Sequence, residues 1–306
     1  MTTILLGPQR FTTTVTPALR SLDADGPVAV INAGWEEREG DDGELDGLLD
    51  GRGRNLRLYE RTFEVLAEDE RFAAAGLAFR DRQDELRAFY GIRLRAAMDA
   101  VAEVLHRSSP HGLRGTAVEA AIAAVRDVDT WYAGQLKELY REVDAAAPPE
   151  QSEPIARHRS EIDAVLQECC AVVLPGGHVG SLVRALRLFR VRIPAHLPVI
   201  AWSAGAMALT ERVVLFHDFG PHGASFPEVY DRGLARLPGI AVFPHAKRRL
   251  RLDDPEALQV LARRFADLRL LLLDTGTFLR FEAGGQGLPD GARVITDEGR
   301  VAQVGA

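Results

Sequence analysis

Cysteine is nearly absent: 306 residues carry two, Cys169 and Cys170. They are adjacent, and sequence neighbours rarely bridge because a disulfide needs partners that face each other, so both read as core or near-core thiols of a reducing compartment. Long apolar runs are missing as well. No uncharged stretch approaches the roughly 18 residues that a bilayer-spanning helix needs. The opening run Met1-Thr2-Thr3-Ile4-Leu5-Leu6 has neither a basic leader nor a cleavage-type segment, which makes the cytoplasm the expected location and a membrane partner unexpected. There is no excess of positive charge: Lys+Arg 37 against Asp+Glu 44 leaves a net charge of -7. That balance lacks the electrostatic footprint of a nucleic-acid binder. The eight histidines are scattered. None forms a Cys/His array with zinc spacing, and His217 and His222, which flank Asp218, do not make one either, so no metal is expected.

With 46% hydrophobic and 26% charged positions, the chain can bury one large core or two unequal ones. Short apolar runs alternate with helix-like segments in the first sixty residues and again after about residue 160. This is the pattern of an α/β fold, a mostly parallel sheet with helices on both faces. Residues 2–6, 27–32 and 55–59 read as the first strands, and the acidic, glycine-bearing stretch 36–46 as a solvated loop. From 61 to 147 the period is helical. Leu86, Phe89, Leu94, Met98, Val101 and Leu105 form one stripe, and Val118, Ile122, Val125, Val128, Leu136 and Leu139 a second. Ser108-Ser109-Pro110-His111-Gly112 separates them, which predicts an antiparallel helical hairpin. The expected organisation is therefore first strands in 1–60, a helical insertion in 61–147, and the α/β core in 148–306, closing on short antiparallel strands after residue 278.

Three strand ends carry polar groups. Val199-Ile200-Ala201-Trp202-Ser203-Ala204-Gly205-Ala206 runs from an apolar strand through small residues into a helix. Such a turn can strain one residue into an exposed position, here Ser203. It matches the G-x-S-x-G elbow except that Ala201 stands at the first glycine. Leu174-Pro175-Gly176-Gly177-His178 ends a second strand on two glycines. The Gly177 amide there, with that of Ala204, would make a two-donor oxyanion hole. Phe243-Pro244-His245 ends a third strand. A hydroxyl nucleophile needs a base, and His245 at the ligand-binding edge of a parallel sheet is the candidate. An acid should orient the imidazole, and either Asp218 or Asp274 could do so. His178 could line the same cleft, and Arg248, Arg249 and Arg251 could hold a substrate carboxylate.

Pro-Gly-Gly-His, Trp-Ser-Ala-Gly-Ala and Gly-Leu-Ala-Arg-Leu-Pro-Gly-Ile-Ala-Val-Phe-Pro-His, in that order, resemble the dipeptidase E and cyanophycinase family of serine peptidases. The likeness spans roughly 165–285. It implies the class I glutamine amidotransferase-like fold and a Ser-His-acid hydrolase acting on small peptides or on amide bonds next to an aspartyl residue, with no metal or organic cofactor. By motif position Ser203 matches the family nucleophile and His245 its base. The Ser203-to-Asp218 spacing is similar to that of the acid in dipeptidase E. The glutamate that serves cyanophycinases in an Asp-Glu pair is absent, because that pair reads Asp274-Thr275 here. The helical stretch has no counterpart in compact members, and is expected either to cover the active-site edge as a lid or to form a homodimer surface. The alternative function is a catalytically silent member of the fold that acts as a binding or regulatory module.

Overall fold

The computed structural model describes residues 2–216, 226–282 and 287–305. Its strands are short and, apart from β3 and β7, mostly apolar: β1 (Thr3–Leu6), β2 (Val28–Val30), β3 (Gly53–Asn55), β4 (Ala171–Leu174), β5 (Val199–Trp202), β6 (Val213–Leu215), β7 (Glu228–Asp231), β8 (Ile240–Pro244), β9 (Arg269–Leu273), β10 (Phe278–Phe281), β11 (Arg293–Ile295) and β12 (Val301–Gln303). The helices are α1 (Val15–Arg20), α2 (Gly43–Leu48), α3 (Leu58–Glu68), α4 (Glu70–His106), α5 (Arg114–Ala146), α6 (Glu153–Glu168), α7 (Val179–Leu188), α8 (Ala204–Ala208), α9 (Ala246–Arg249) and α10 (Pro255–Arg264).

A six-stranded sheet runs in the order β10-β1-β5-β4-β2-β3. It is parallel except for β10, so the fold is α/β with a mostly parallel main sheet. Its central strands β1, β2, β4 and β5 are buried at every position, because both faces are covered. The alternation of side chains divides them cleanly. Leu5, Ala29, Val172, Leu174, Val199 and Ala201 join the larger apolar cluster, which includes residues of α6, α7 and α8. Ile4, Leu6, Val28, Val30, Val173 and Ile200 join the smaller one, which includes residues of α1. The last strands do not extend this sheet. β10 turns back after Asp274 and takes the outer edge of β1, with Gly7 N–H donating to Thr277 O at 2.8 Å. With that edge filled, β9 pairs in parallel with β8 and antiparallel with β11 in a separate ladder of order β12-β11-β9-β8.

α4 (37 residues) and α5 (33 residues) form an antiparallel hairpin with arms of about 50–55 Å at 1.5 Å per residue. The buried stripe of α4 runs through Tyr90, Leu94, Met98 and Val101, one residue away from Phe89, which is 53% exposed. Tyr90 is the better buried residue because its hydroxyl finds partners. It donates to Asp129 Oδ1 at 2.7 Å and accepts from Val229 N–H at 3.0 Å. Arg264 of α10 closes this network with a two-pronged contact to Asp129, 2.8 and 2.6 Å, and donates to Pro227 O at 2.6 Å. Tyr132 donates to Tyr230 O at 3.0 Å and Tyr140 to Asp231 Oδ2 at 2.5 Å, so polar anchors along both helices fasten the hairpin to the α/β body. Removing one partner of a buried, hydrogen-bonded ion pair strands the other charge, at a cost of roughly 3–5 kcal/mol. Asp129→Ala should therefore lower the urea-unfolding free energy by about that amount. Glu138→Ala, which breaks the exposed Arg141 pair, should change it by less than about 1 kcal/mol. Equal effects of the two variants would contradict the anchoring role.

Candidate active site

The site is assembled from the ends of β4, β5 and β8. β5 delivers Ser203 into a backbone conformation with φ 50° and ψ -122°. For a residue with a Cβ this conformation costs on the order of 1–3 kcal/mol, so the surroundings must enforce it. Enforcement comes from both sides. β5 is locked between β1 and β4, and α8 starts at once, with Gly205 N–H donating to Pro175 O at 3.0 Å. The approach is so close that a Cβ at Gly205 would lie 2.1 Å from Leu174 O, which only glycine avoids.

The turn after β4 passes directly over the serine. A Cβ built on Gly176 would sit 3.0 Å from Ser203 Cβ. Gly177 has φ +125°, and a Cβ there would lie 2.3 Å from Gly34 O, so the turn can follow this path only as glycine. His178 N–H then donates to Gly34 O at 2.6 Å, which joins the turns after β2 and β4. Among the described residues, neither the Gly177 nor the Ala204 amide donates to a loop or turn carbonyl.

His245 ends β8, whose register pairs Pro244 with Leu273 of β9. Its own N–H donates to Leu273 O at 2.8 Å, and its backbone is left-handed at φ 58°, ψ 35°. The side chain reaches back so that Nε2 stands 3.3 Å from Ser203 Oγ, at the long end of hydrogen-bond range. Partial burial holds the imidazole pKa below its ordinary value, and the guanidinium groups of Arg249 and Arg248 add to this, opposed by Asp274. At neutral pH the ring is thus kept as an uncharged acceptor, the form a base requires.

Asp274 lies next to Leu273 at the end of β9, beside the histidine, but its carboxylate turns elsewhere. Oδ1 accepts from Lys247 N–H at 2.9 Å at the start of α9, and Oδ2 takes Arg293 at 2.7 Å. Among the described residues no group hydrogen-bonds the second imidazole nitrogen of His245. Asp218 and His217 lie outside the described residues. Arg248 is exposed on α9, and Arg249 is half-buried with its guanidinium 6.0 Å from the Phe216 ring centre. His178 caps α7, accepting from Ser181 N–H at 3.2 Å, with its ring largely exposed.

The acidic stretch 36–46 is largely solvated, as its composition suggests, but it folds into short helical turns and buries one of its acids. Glu39 is 1% exposed and accepts the Tyr59 and Glu60 amides at the start of α3, while Asn32 and Asn55 donate to its carbonyl. Its burial raises the pKa of the Glu39 carboxyl, against the hydrogen bonds that favour the ionised form. Glu36 is a second strained residue, at φ 56° and ψ -128°, close to the conformation of Ser203. Its Oε1 accepts from Ser181 Oγ at 2.6 Å and lies 3.4 Å from His178 Nδ1, so a Glu36–Ser181–His178 cluster borders the Gly-Gly turn. A signal is readable in the sequence: Ile31-Asn32-Ala33-Gly34 leaves a strand on small residues, two positions before Glu36.

No family model matches this chain, and no curated protein does. Among solved structures it is similar to one described as the crystal structure of a peptidase from an acI-B1 Actinobacterium, at 13% identity over 97% of this chain and 87% of that one, with a TM-score of 0.39.

Proposed function

We propose that the protein is a serine hydrolase of the peptidase or amidase kind, on a class I glutamine amidotransferase-like fold. One observation carries the reading: a serine held in a strained strand-to-helix turn, with its Oγ 3.3 Å from the Nε2 of a histidine whose pKa is lowered. In this account Ser203 Oγ attacks the scissile carbonyl carbon as its proton passes to His245 Nε2. The oxyanion of the tetrahedral intermediate is taken by the Gly177 and Ala204 amides. His245 then gives the proton to the leaving amine, and water, deprotonated by the same imidazole, releases the acyl group. The substrates are small peptides or amides, with aspartyl-linked bonds the first to test. The chemistry asks for no cofactor.

A binding or regulatory role without hydrolysis is favoured by one feature, the engagement of both Asp274 oxygens by other partners. A serine-directed fluorophosphonate separates the two. By intact-mass analysis the wild-type chain should gain one adduct that Ser203→Ala lacks, whereas an unlabelled wild type would leave the binding role standing.

The labelling rate also reports the base. It should rise with pH, because the neutral imidazole is the active form, with a midpoint below the ordinary histidine value of about 6.5. Removing a positive neighbour by Arg249→Met favours the protonated ring, so this midpoint should move upward. A pH-independent rate, or a midpoint that moves downward, would contradict the assignment. Loss of an orienting aspartate costs on the order of 10⁴ in such triads. Asp274→Asn should slow labelling by less than about tenfold if Asp218 orients the imidazole, and by roughly the full factor if Asp274 does. Small losses in both Asp274→Asn and Asp218→Asn would mean that neither aspartate orients the base.

A further inference from the structure

A cleft of about 970 Å³ opens between α3, the first half of α4, the end of α5 and α7. Neither Ser203 nor His245 lines it, but Glu36 and Ser181 do, so one end reaches the cluster that borders the Gly-Gly turn. Its size lies in the range of small-molecule sites, which combine an apolar lining with a few polar groups that fix orientation. Aromatic and aliphatic side chains dominate its walls, and two of them, Phe63 and Leu77, are 54% and 57% exposed.

The polar groups are mixed in sign. Five arginines line the cleft together with three carboxylates, Glu36, Asp84 and Asp144. Two of the five are neutralised, Arg87 by Glu228 at 3.8 Å and Arg190 by Glu150. Among the described residues the other three, Arg80, Arg184 and Arg187, pair with no carboxylate. Arg184 donates to Ser181 Oγ at 3.2 Å, and Arg187 lies over the Tyr140 ring. An independent sign of an absent partner comes from Gln83, which lines the cleft, is 4% exposed, and carries an Nε2 with no hydrogen-bond acceptor. Leaving a buried amide donor unpaired costs about 1–3 kcal/mol.

We propose that this cleft is a binding site for a small carboxylate with an apolar body. The body fills the space between the helices and covers Phe63 and Leu77, the carboxylate pairs with Arg184 and its unpaired neighbours, and an acceptor on the ligand satisfies Gln83. Guanidinium groups recognise carboxylates through paired N–H donors, and a cleft with unpaired arginines and apolar walls selects an anion with a greasy end over either feature alone. A short peptide with apolar side chains and a fatty acid both present this chemistry.

The inference does not depend on hydrolysis and is tested in the full-length Ser203→Ala protein, where a cleavable probe stays intact. Titration calorimetry would use N-acetyl-phenylalanyl-leucine against its C-terminal amide, and octanoate against octanol. At least one carboxylate should bind, with its neutral counterpart roughly tenfold or more weaker. Binding of the peptide alone or of octanoate alone would support the site and name its source. Arg184→Gln should bring the carboxylate down to the affinity of the neutral form. Gln83→Leu should weaken binding several-fold while raising the melting temperature of the unliganded protein, since it removes an unpaired buried donor. Absence of binding by both carboxylates, equal binding of each charged and neutral pair, or indifference to Arg184→Gln would overturn the proposal.

Discussion

The close approach of the β5 and β8 ends is the constraint on which the site depends. Each strand finishes on a non-glycine residue with positive φ, Ser203 at 50° and His245 at 58°. Both departures cost conformational energy, and neither would survive in an isolated turn. They persist because the strands behind them are buried and registered: β5 between β1 and β4, β8 along β9. Interior packing at crystal-like density leaves no cheaper path for the chain. The 3.3 Å separation of Oγ and Nε2 therefore reflects two sheets meeting through α8, whose residues pack with those of β8 in the larger core.

The helical hairpin is tied to that same body by buried polar contacts rather than by apolar packing alone. Asp129, Arg264 and Tyr90 saturate one another, and Tyr132 and Tyr140 reach β7. Such networks add direction that a greasy interface lacks, because each donor must meet its acceptor. Fixing the hairpin in this way leaves the space between α4, α5 and α7 open as an apolar cleft in which, among the described residues, three arginines pair with no carboxylate. A hydrolytic centre and a ligand cleft would then share one border, the Glu36–Ser181–His178 cluster.

Much of this was legible in residue patterns where a single period or a single turn decides the outcome. The strand ends at Leu174, Trp202 and Pro244, and the helical hairpin interrupted near Pro110, follow from apolar runs and breakers that act locally. What depends on distant partners was not legible. Phe89 and Tyr90 are both aromatic, and it is Tyr90 that meets Asp129, Val229 and Arg264 across the interface and is buried. Glu39 looks like one more acid in a polar run until the unsatisfied amides at the start of α3 claim it. The split of the strands into separate ladders was hidden for a similar reason, since β10, and not β9, takes the edge of β1. Asp274 shows the limit on the site itself: its chain position puts it beside His245, yet Lys247 N–H and Arg293 decide where its oxygens point.

In the proposed hydrolase the Ser203 hydroxyl, the His245 imidazole and the two turn amides act on one reacting centre. A crystal structure of the protein treated with a small peptidyl boronic acid tests it most directly. The expected result is a bond from boron to Ser203 Oγ, one boronate oxygen within about 3 Å of the Gly177 and Ala204 amides, and another facing His245 Nε2. Boron bound elsewhere, or Ser203 and His245 found apart with ordinary negative φ at both residues, would contradict it.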